Sequence, residues 1–479
     1  MKRNRKVKIL ATLGPVSSEE AMIERLFVAG ADVFRINMSH ASHDIMRILV
    51  ARIRRIEKKY GRPIGILADL QGPKLRVGTF SDGRAELIAG QVFTLDDKNH
   101  PGDNQRVYLP NPEILEAVKP GERLLIDDGK LELISEECDG HSIKCRVVTG
   151  TFISDRKGVS LPDTTLCVGA LTKKDYSDLG AVLQEEIDWV ALSFIQRPED
   201  ISEVRNITRG RSSILSKIEK PQAVQRLAEI VELSDAVMVA RGDLGVEMPL
   251  ESVPGTQIEI INVCRMAGKP VVVATQMLES MINAPVPTRA EVSDVATAVF
   301  EGADAIMLSA ESASGCYPIE AVQTMDRIAC KIECDPNYGL MINAKHSKPE
   351  PTGADAISLA ARQIAETLNL SAIVAYTSTG KTGIRASRER PNTQIVALSP
   401  IVETARRLAL VWGLYSVVTE DAHDLDDMVD RACAIARSEK ISKPGDRIIV
   451  TAGVPLGSPG TTNMLRIAYI NEDEEEGGI

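Results

Sequence analysis

The chain has no CxxC pair, no excess of positive charge and no long apolar run, and each absence removes a class of protein. Its eight cysteines are scattered, which argues against a disulfide framework or a structural zinc site and for buried thiols in a reducing compartment. Cys330 and Cys334 share a helical face, but no histidine or acidic cluster completes a metal site there. A net charge of −11 leaves no broad basic face, so bulk nucleic-acid binding is not expected. A small basic pocket for an anionic metabolite remains compatible with it. The opening "MKRNRKVKIL" is basic but has no apolar core of a signal peptide, and no stretch approaches a membrane span. The expectation is a cytoplasmic protein without membrane contact, ending in a solvated acidic tail, "NEDEEEGGI".

What is present is a repeating unit. A length of 479 residues, with 44% apolar and 26% charged residues, fits two to four ordinary globular domains. Short Val/Ile/Ala-rich runs, each with a polar end and a helical stretch after it, cover 7–14, 33–39, 65–70, 188–194, 212–219, 236–243, 270–276 and 303–311. Such strands build a parallel sheet covered on both faces, and eight of them favour a closed (β/α)8 barrel over an open doubly wound sheet. Between the third and fourth strands the texture changes. Alternating segments with "DDGK" and "CDGH" turns predict an inserted β-rich domain over 74–171, a small β-barrel acting as a lid. The barrel then comprises 1–73 and 172–345. Residues 346–479 return to an α/β pattern behind the linker "NAKHSKPEPTG".

In such a barrel the chemistry sits at the C-terminal strand ends. Those ends carry Arg35, Asn37, Ser39, Asp69, Ser193, Lys217, Glu219, Arg241, Asp243, Thr275, Ser309 and Glu311. Lys217 and Glu219 share strand parity, so their side chains point the same way. Glu219 with Asp243 suits a hard divalent ion such as Mg²⁺, and Lys217 beside it suits a developing anion. Gly242 lets a ligand approach the backbone, whose N–H groups can hold a ligand carboxylate, and Thr275 offers a hydroxyl to that same ligand group. A structural Lys–Glu ion pair is the plainer alternative.

"FRINMSHAS", "ILADLQGPKLRVG", "KGVSLP", "SKIEKPQAV", "MVARGDLGVE", "VVVATQMLESM" and "AIMLSAESA" together resemble the ordered motifs of pyruvate kinase. The resemblance implies phosphoryl transfer from phosphoenolpyruvate to ADP, giving pyruvate and ATP, with protonation of the enol at carbon. It implies Mg²⁺ (or Mn²⁺) on Glu219 and Asp243, and Lys217 and Arg35 on the transferring phosphoryl group. The amides of Gly242 and Asp243 and the Thr275 hydroxyl would hold the substrate carboxylate. Thr275 would also serve the proton path, with Ser309 and Glu311 behind it. Asn37, Ser39, His40, Arg76 and Lys157 would line the nucleotide side, Lys157 carried in by the insert. His40 could equally cap the next helix.

Two further expectations come from the same resemblance. K⁺-dependent members resemble "DTKGPEIR" where this chain has Leu70, Gln71 and Lys74, and they bind the ion through Asn37, Ser39, Asp69 and the residue-70 carbonyl. Here the Lys74 ammonium would replace the ion, and K⁺ would not be required. The stretch "TSTGKT", Thr377, Ser378, Thr379, Gly380, Lys381 and Thr382, resembles the family's allosteric loop for a sugar-phosphate or nucleotide effector, with "GVPLGSPGTT" beside it. It is not a P-loop, because the glycine needed five residues before Gly380 is Ala375. Hydroxyls, glycine and lysine ahead of a helix still form a phosphate cradle. The family is usually homotetrameric. A lyase or aldolase using a Lys217 Schiff base and a catalytically silent metabolite-binding protein are the competing readings.

Overall fold

A computed structural model describes residues 2–166, 169–344, 350–456 and 462–471. Eight strands close into a parallel barrel: β1 (Lys8–Leu13), β2 (Val33–Asn37), β3 (Gly65–Asp69), β4 (Trp189–Leu192), β5 (Ser213–Ile218), β6 (Ala236–Ala240), β7 (Val271–Ala274) and β8 (Ala305–Leu308). Each pairs with its neighbours in sequence, and β1 closes the ring on β8, Lys8 lying opposite Ala305. The strands are almost wholly buried. One parity (Leu10, Leu67, Trp189, Leu215, Met238 and Met307 among others) fills the barrel, and the other packs under the helices. The open doubly wound sheet is thereby excluded. No helix among the described residues is long and apolar enough to cross a membrane.

The chain leaves the barrel after β3 and builds a separate apolar core from residues between Leu75 and Leu166. Its strands form one six-stranded and one two-stranded sheet rather than the small closed barrel expected. Two of the strands, Arg84–Glu86 and Phe152–Ser154, are only three residues long and pair only with each other. Both crossings between barrel and insert meet at buried Asp175, which accepts from Gly72 N (3.1 Å) and Thr172 N (2.8 Å). Gly72 has φ +66°, and a Cβ there would lie 2.9 Å from the Phe194 ring, so the turn admits only glycine.

The C-terminal sheet has the order Leu414–Val418, Gln394–Ser399, Ala372–Tyr376, Arg447–Ala452 and Met464–Tyr469. The first four strands are parallel, as the sequence suggests. The last is antiparallel and was not anticipated. This unit is fastened beneath the barrel. Leu410 joins the barrel interior, Lys8 Nζ donates to Leu414 O (2.7 Å), and Arg406 bonds Glu57 and Glu186.

At the N-terminal face of the barrel, fully buried Asp32 accepts from Arg5 (2.7 Å), Arg62 (3.0 Å), Arg3 (3.3 Å) and Ile9 N (3.0 Å). Burial alone would raise its carboxyl. The charges of Arg5, Arg3, Lys8 and Arg62 override that and hold it well below the ordinary carboxylate range. A depressed pKa contributes stability above the unfolded value of about 4, lost only as pH falls through the folded value. Asp32→Asn is therefore expected to cost about 3–5 kcal/mol. Urea unfolding should show the gap from wild type narrowing as pH falls below about 4, where Asp32 takes up a proton on unfolding.

Candidate active site

The polar strand ends meet on one rim. Buried Asp69, the last residue of β3, accepts from Arg35 Nε (2.7 Å) and lies 3.4 Å from Lys217 Nζ. Lys217, one residue before the end of β5, stands 2.7 Å from Glu219 Oε1 and donates to Ser193 Oγ at 2.7 Å. Ser193 in turn donates to Leu70 O at 2.9 Å, so it links β5 to the β3 exit. Glu219 is 1% exposed, and its Oε2 accepts from Phe194 N at 2.6 Å. That amide is aimed by an unusual backbone, φ +57° at Phe194.

The charges set one another. Burial opposes ionisation of Lys217, but Asp69 and Glu219 outweigh it and raise the ammonium above its ordinary value. Asp69 is lowered, since Lys217 and Arg35 overcome its burial. Glu219 goes the other way. Burial and the Asp243 charge push its carboxyl up to about 7 against the pull of Lys217.

Arg241, Gly242 and Asp243 do not end β6 as the sequence suggests. They open a helix, Arg241–Glu247, and Asp243 is exposed. Gly242 N donates to Thr275 Oγ1 (2.8 Å), whose own hydroxyl donates to Ala274 O (2.6 Å). Thr275 and Gln276 both have positive φ, +70° and +55°, a costly backbone for a β-branched residue. Arg241 braces that turn. It donates to Thr275 O (2.6 Å) and Ala274 O (3.2 Å) while bonded through two nitrogens to Asp294 (2.6 and 2.7 Å). Asp294 carries no motif and escaped the sequence reading. Glu311 accepts from Leu278 N and Ser309 N, so it anchors the turn rather than standing free in a proton path.

On the opposite side of the rim, Asn37 Oδ1 accepts from Ser39 N (3.0 Å). His40 is exposed and is not the helix cap. Ser42 fills that role, accepting from Ile45 N. Lys74, Arg76, Phe194, Lys220 and Asp243 line one cleft between rim and insert. Lys74 is exposed, and Arg35 and Lys217 hold Asp69 in its place. Burial and the charges of Arg76 and Lys217 lower the Lys74 ammonium, against Asp243 and Asp69. Arg76 pairs with Gly158 across the insert, and Lys157 is drawn to Asp127 of the "DDGK" turn at 2.9 Å.

Glu219 Oε1 is buried with the Lys217 ammonium beside it and no other partner, and Asp243 stands near it in charge if not in contact. Two carboxylates suit Mg²⁺, which keeps several waters and shares substrate oxygens. Among the described residues no cluster of three or more His, Cys, Asp or Glu offers a closed metal cage. In the C-terminal unit, Gly380 (φ +86°) precedes the helix Lys381–Arg388. Thr377 Oγ1 accepts from Gly380 N, Thr404 donates to Ser378 O, and Thr382 bonds Thr462. Ser378, Thr379 and Lys381 are exposed. Of the neighbouring "GVPLGSPGTT", residues 457–461 lie outside the described residues.

Comparison with known proteins places this geometry. The model described as "Pyruvate kinase, barrel domain" matches residues 4–322, and "Pyruvate kinase, alpha/beta domain" matches 355–468. The pyruvate kinase of Methylorubrum extorquens is 57% identical over 99% of this chain and 100% of its own length. One from Agrobacterium vitis is 45% identical over 98% of each. The solved structure of a pyruvate kinase from Cryptosporidium parvum is 33% identical, with a TM-score of 0.92 over 98% of this chain and 96% of that one. With both family models and full-length relatives in agreement over the barrel and the C-terminal unit, the chain belongs to the pyruvate kinase family, a family of phosphotransferases.

Proposed function

We propose that the chain is a cytoplasmic, Mg²⁺-dependent pyruvate kinase that needs no K⁺ and answers to a phosphorylated effector. The proposed organisation is a barrel over 1–73 and 172–345, a lid over 74–171 and a regulatory unit over 346–479, assembled as a homotetramer. The observation that carries the catalytic reading is the buried Lys217–Glu219 pair, 2.7 Å apart, with Glu219 Oε1 otherwise unsatisfied. Glu219 and Asp243 would hold Mg²⁺, which when bound neutralises charge on the phosphoryl group and the enol oxygen.

Phosphoryl transfer requires alignment and charge neutralisation more than covalent help. The bond between phosphorus and the enol oxygen breaks as one forms to a terminal oxygen of ADP. Lys217 and Arg35 face the phosphoryl oxygens, which gather charge. Gly242, Asp243 and Thr275 hold the carboxylate, Thr275 by turning its hydroxyl from Ala274 O. Thr275 then directs a proton through water to the terminal carbon of the enol, giving pyruvate. Asn37, Ser39, His40, Arg76 and Lys157 hold the nucleotide, and closure of the insert excludes water. Residues 377–382 receive the effector phosphate.

Purified protein supplied with phosphoenolpyruvate, ADP and Mg²⁺ is expected to release pyruvate, and no ADP-dependent release would overturn the reading. Lys217→Met should lower kcat by roughly 10²–10³-fold while phosphoenolpyruvate still binds in a calorimeter. Trapping a carbonyl substrate on Lys217 with borohydride would favour the aldolase reading instead.

The monovalent-ion reading is tested by replacing K⁺ with tetramethylammonium. Activity should persist in the unmodified protein, and Lys74→Glu should gain a K⁺ activation of about tenfold or more. Strong K⁺ dependence of the unmodified protein would refute it.

A further inference from the structure

Lys220 follows Glu219 directly, and Glu247 lies four residues after Asp243. Both are buried, 4% and 5% exposed, and Lys220 Nζ stands 3.2 Å from Glu247 Oε1. Among the described residues no hydrogen bond satisfies that ammonium, and Glu247 Oε2 is buried without a partner. The pair lines the same cleft, of about 120 Å³, as Lys74, Arg76 and Asp243.

Two buried charges that meet chiefly each other are poor stabilisers. Their desolvation offsets most of their attraction, and apolar residues of similar volume would serve as well. Their placement is more telling. Lys220 opens the short helix Pro221–Gln225 just past the end of β5. Glu247 ends the helix Arg241–Glu247, whose first turn holds Gly242 and Asp243. Asp243 and Glu247, at i and i+4, share one face of that helix. The ion pair therefore bridges the same two segments that present Glu219 and Asp243, one residue from the first carboxylate and about one helical turn from the second. Those two carboxylates repel each other, and the Asp243 charge helps to raise Glu219. A cross-link between their segments resists that separation. The returning crossing of the insert rests on the same stretch, where Gln222 Nε2 donates to Pro162 O (3.2 Å) and Thr164 O (3.3 Å).

We infer that Lys220 and Glu247 are positioning residues for the divalent ion, their buried pair holding Glu219 and Asp243 at the spacing one ion requires. The inference rests on the reading of Glu219 and Asp243 as the Mg²⁺ ligands. Partners that orient a ligating group without touching the metal commonly govern its affinity by about 10–100-fold.

Mn²⁺ titration of the full chain, followed by the electron paramagnetic resonance of the free ion, tests the pair without turnover. Lys220→Met should weaken Mn²⁺ binding about tenfold or more. Charge alone predicts the reverse, since deleting a cation beside Glu219 favours a divalent ion. Lys220→Met/Glu247→Met leaves neither member of the pair buried alone. It should unfold in urea near the wild-type midpoint and still bind Mn²⁺ about tenfold or more weakly. Lys220→Arg keeps the pair and should bind Mn²⁺ as the unmodified chain does. Gln222→Ala frees the crossing of the insert but not the pair, and should leave Mn²⁺ binding unchanged. Wild-type or tighter binding by Lys220→Met and by the double variant overturns the inference. Equal weakening by Gln222→Ala does so too, because the effect would then belong to the insert. Glu219→Gln checks the underlying reading separately and should lose the ion. If it binds Mn²⁺ as the unmodified chain does, the metal assignment falls and the positioning role with it.

Discussion

A lysine ammonium buried between two carboxylates orders the upper face of this molecule. Lys217 Nζ lies 2.7 Å from Glu219 and 3.4 Å from Asp69, and Asp69 is also held by Arg35. Removing such charges from water costs several kcal/mol each, and only close, oriented partners offset it. With Glu219 ionised, these four groups sum to zero before any ligand arrives. An incoming phosphoryl anion disturbs that balance unless positive charge enters with it. The same electrostatic economy fixes β2, β3 and β5 relative to one another, because each contributes one or more members of the cluster.

Neighbouring backbone is held in conformations it would not choose. Phe194, Thr275 and Gln276 have positive φ, each at a cost of about 1–3 kcal/mol. At Phe194 the return is an amide delivered to Glu219. At Thr275 it is a hydroxyl placed against Gly242 N, and the turn is kept by Arg241, itself fixed by Asp294. On the proposed reading, the substrate-facing atoms are thus supported by residues that need never touch a substrate.

This division explains what could be read in advance. The eight barrel strands are nearly continuous apolar runs, and buried parallel strands have no other appearance, so their number and order were legible. The rim residues were legible because polar side chains ending such runs are conspicuous. The three-residue strands of the insert and the edge strand Met464–Tyr469, partly exposed along its length, lack that contrast. Asp294 lies on a helix fifty-three residues from its partner Arg241 and looks like any solvated acid. Arg241 itself reads as the end of a strand until the chain is seen to turn into a helix there. Long-range pairing that involves no motif leaves no local trace.

On the proposed reading, Lys74 changes the order of events at the rim. It follows Pro73 directly, at the point where the chain leaves the barrel for the insert. Its charge adds to those of Arg76 and Lys217, which repel it, and Asp69 is too fully occupied by Arg35 and Lys217 to compensate it closely. An ammonium so placed is best satisfied by an anion entering the cleft. A diffusible cation binds by its own equilibrium, independently of the insert. A tethered one moves with the chain that carries it. On the proposed reading, arrival of the monovalent charge and closure of the insert become a single step, and solution K⁺ drops out of the binding equilibrium altogether.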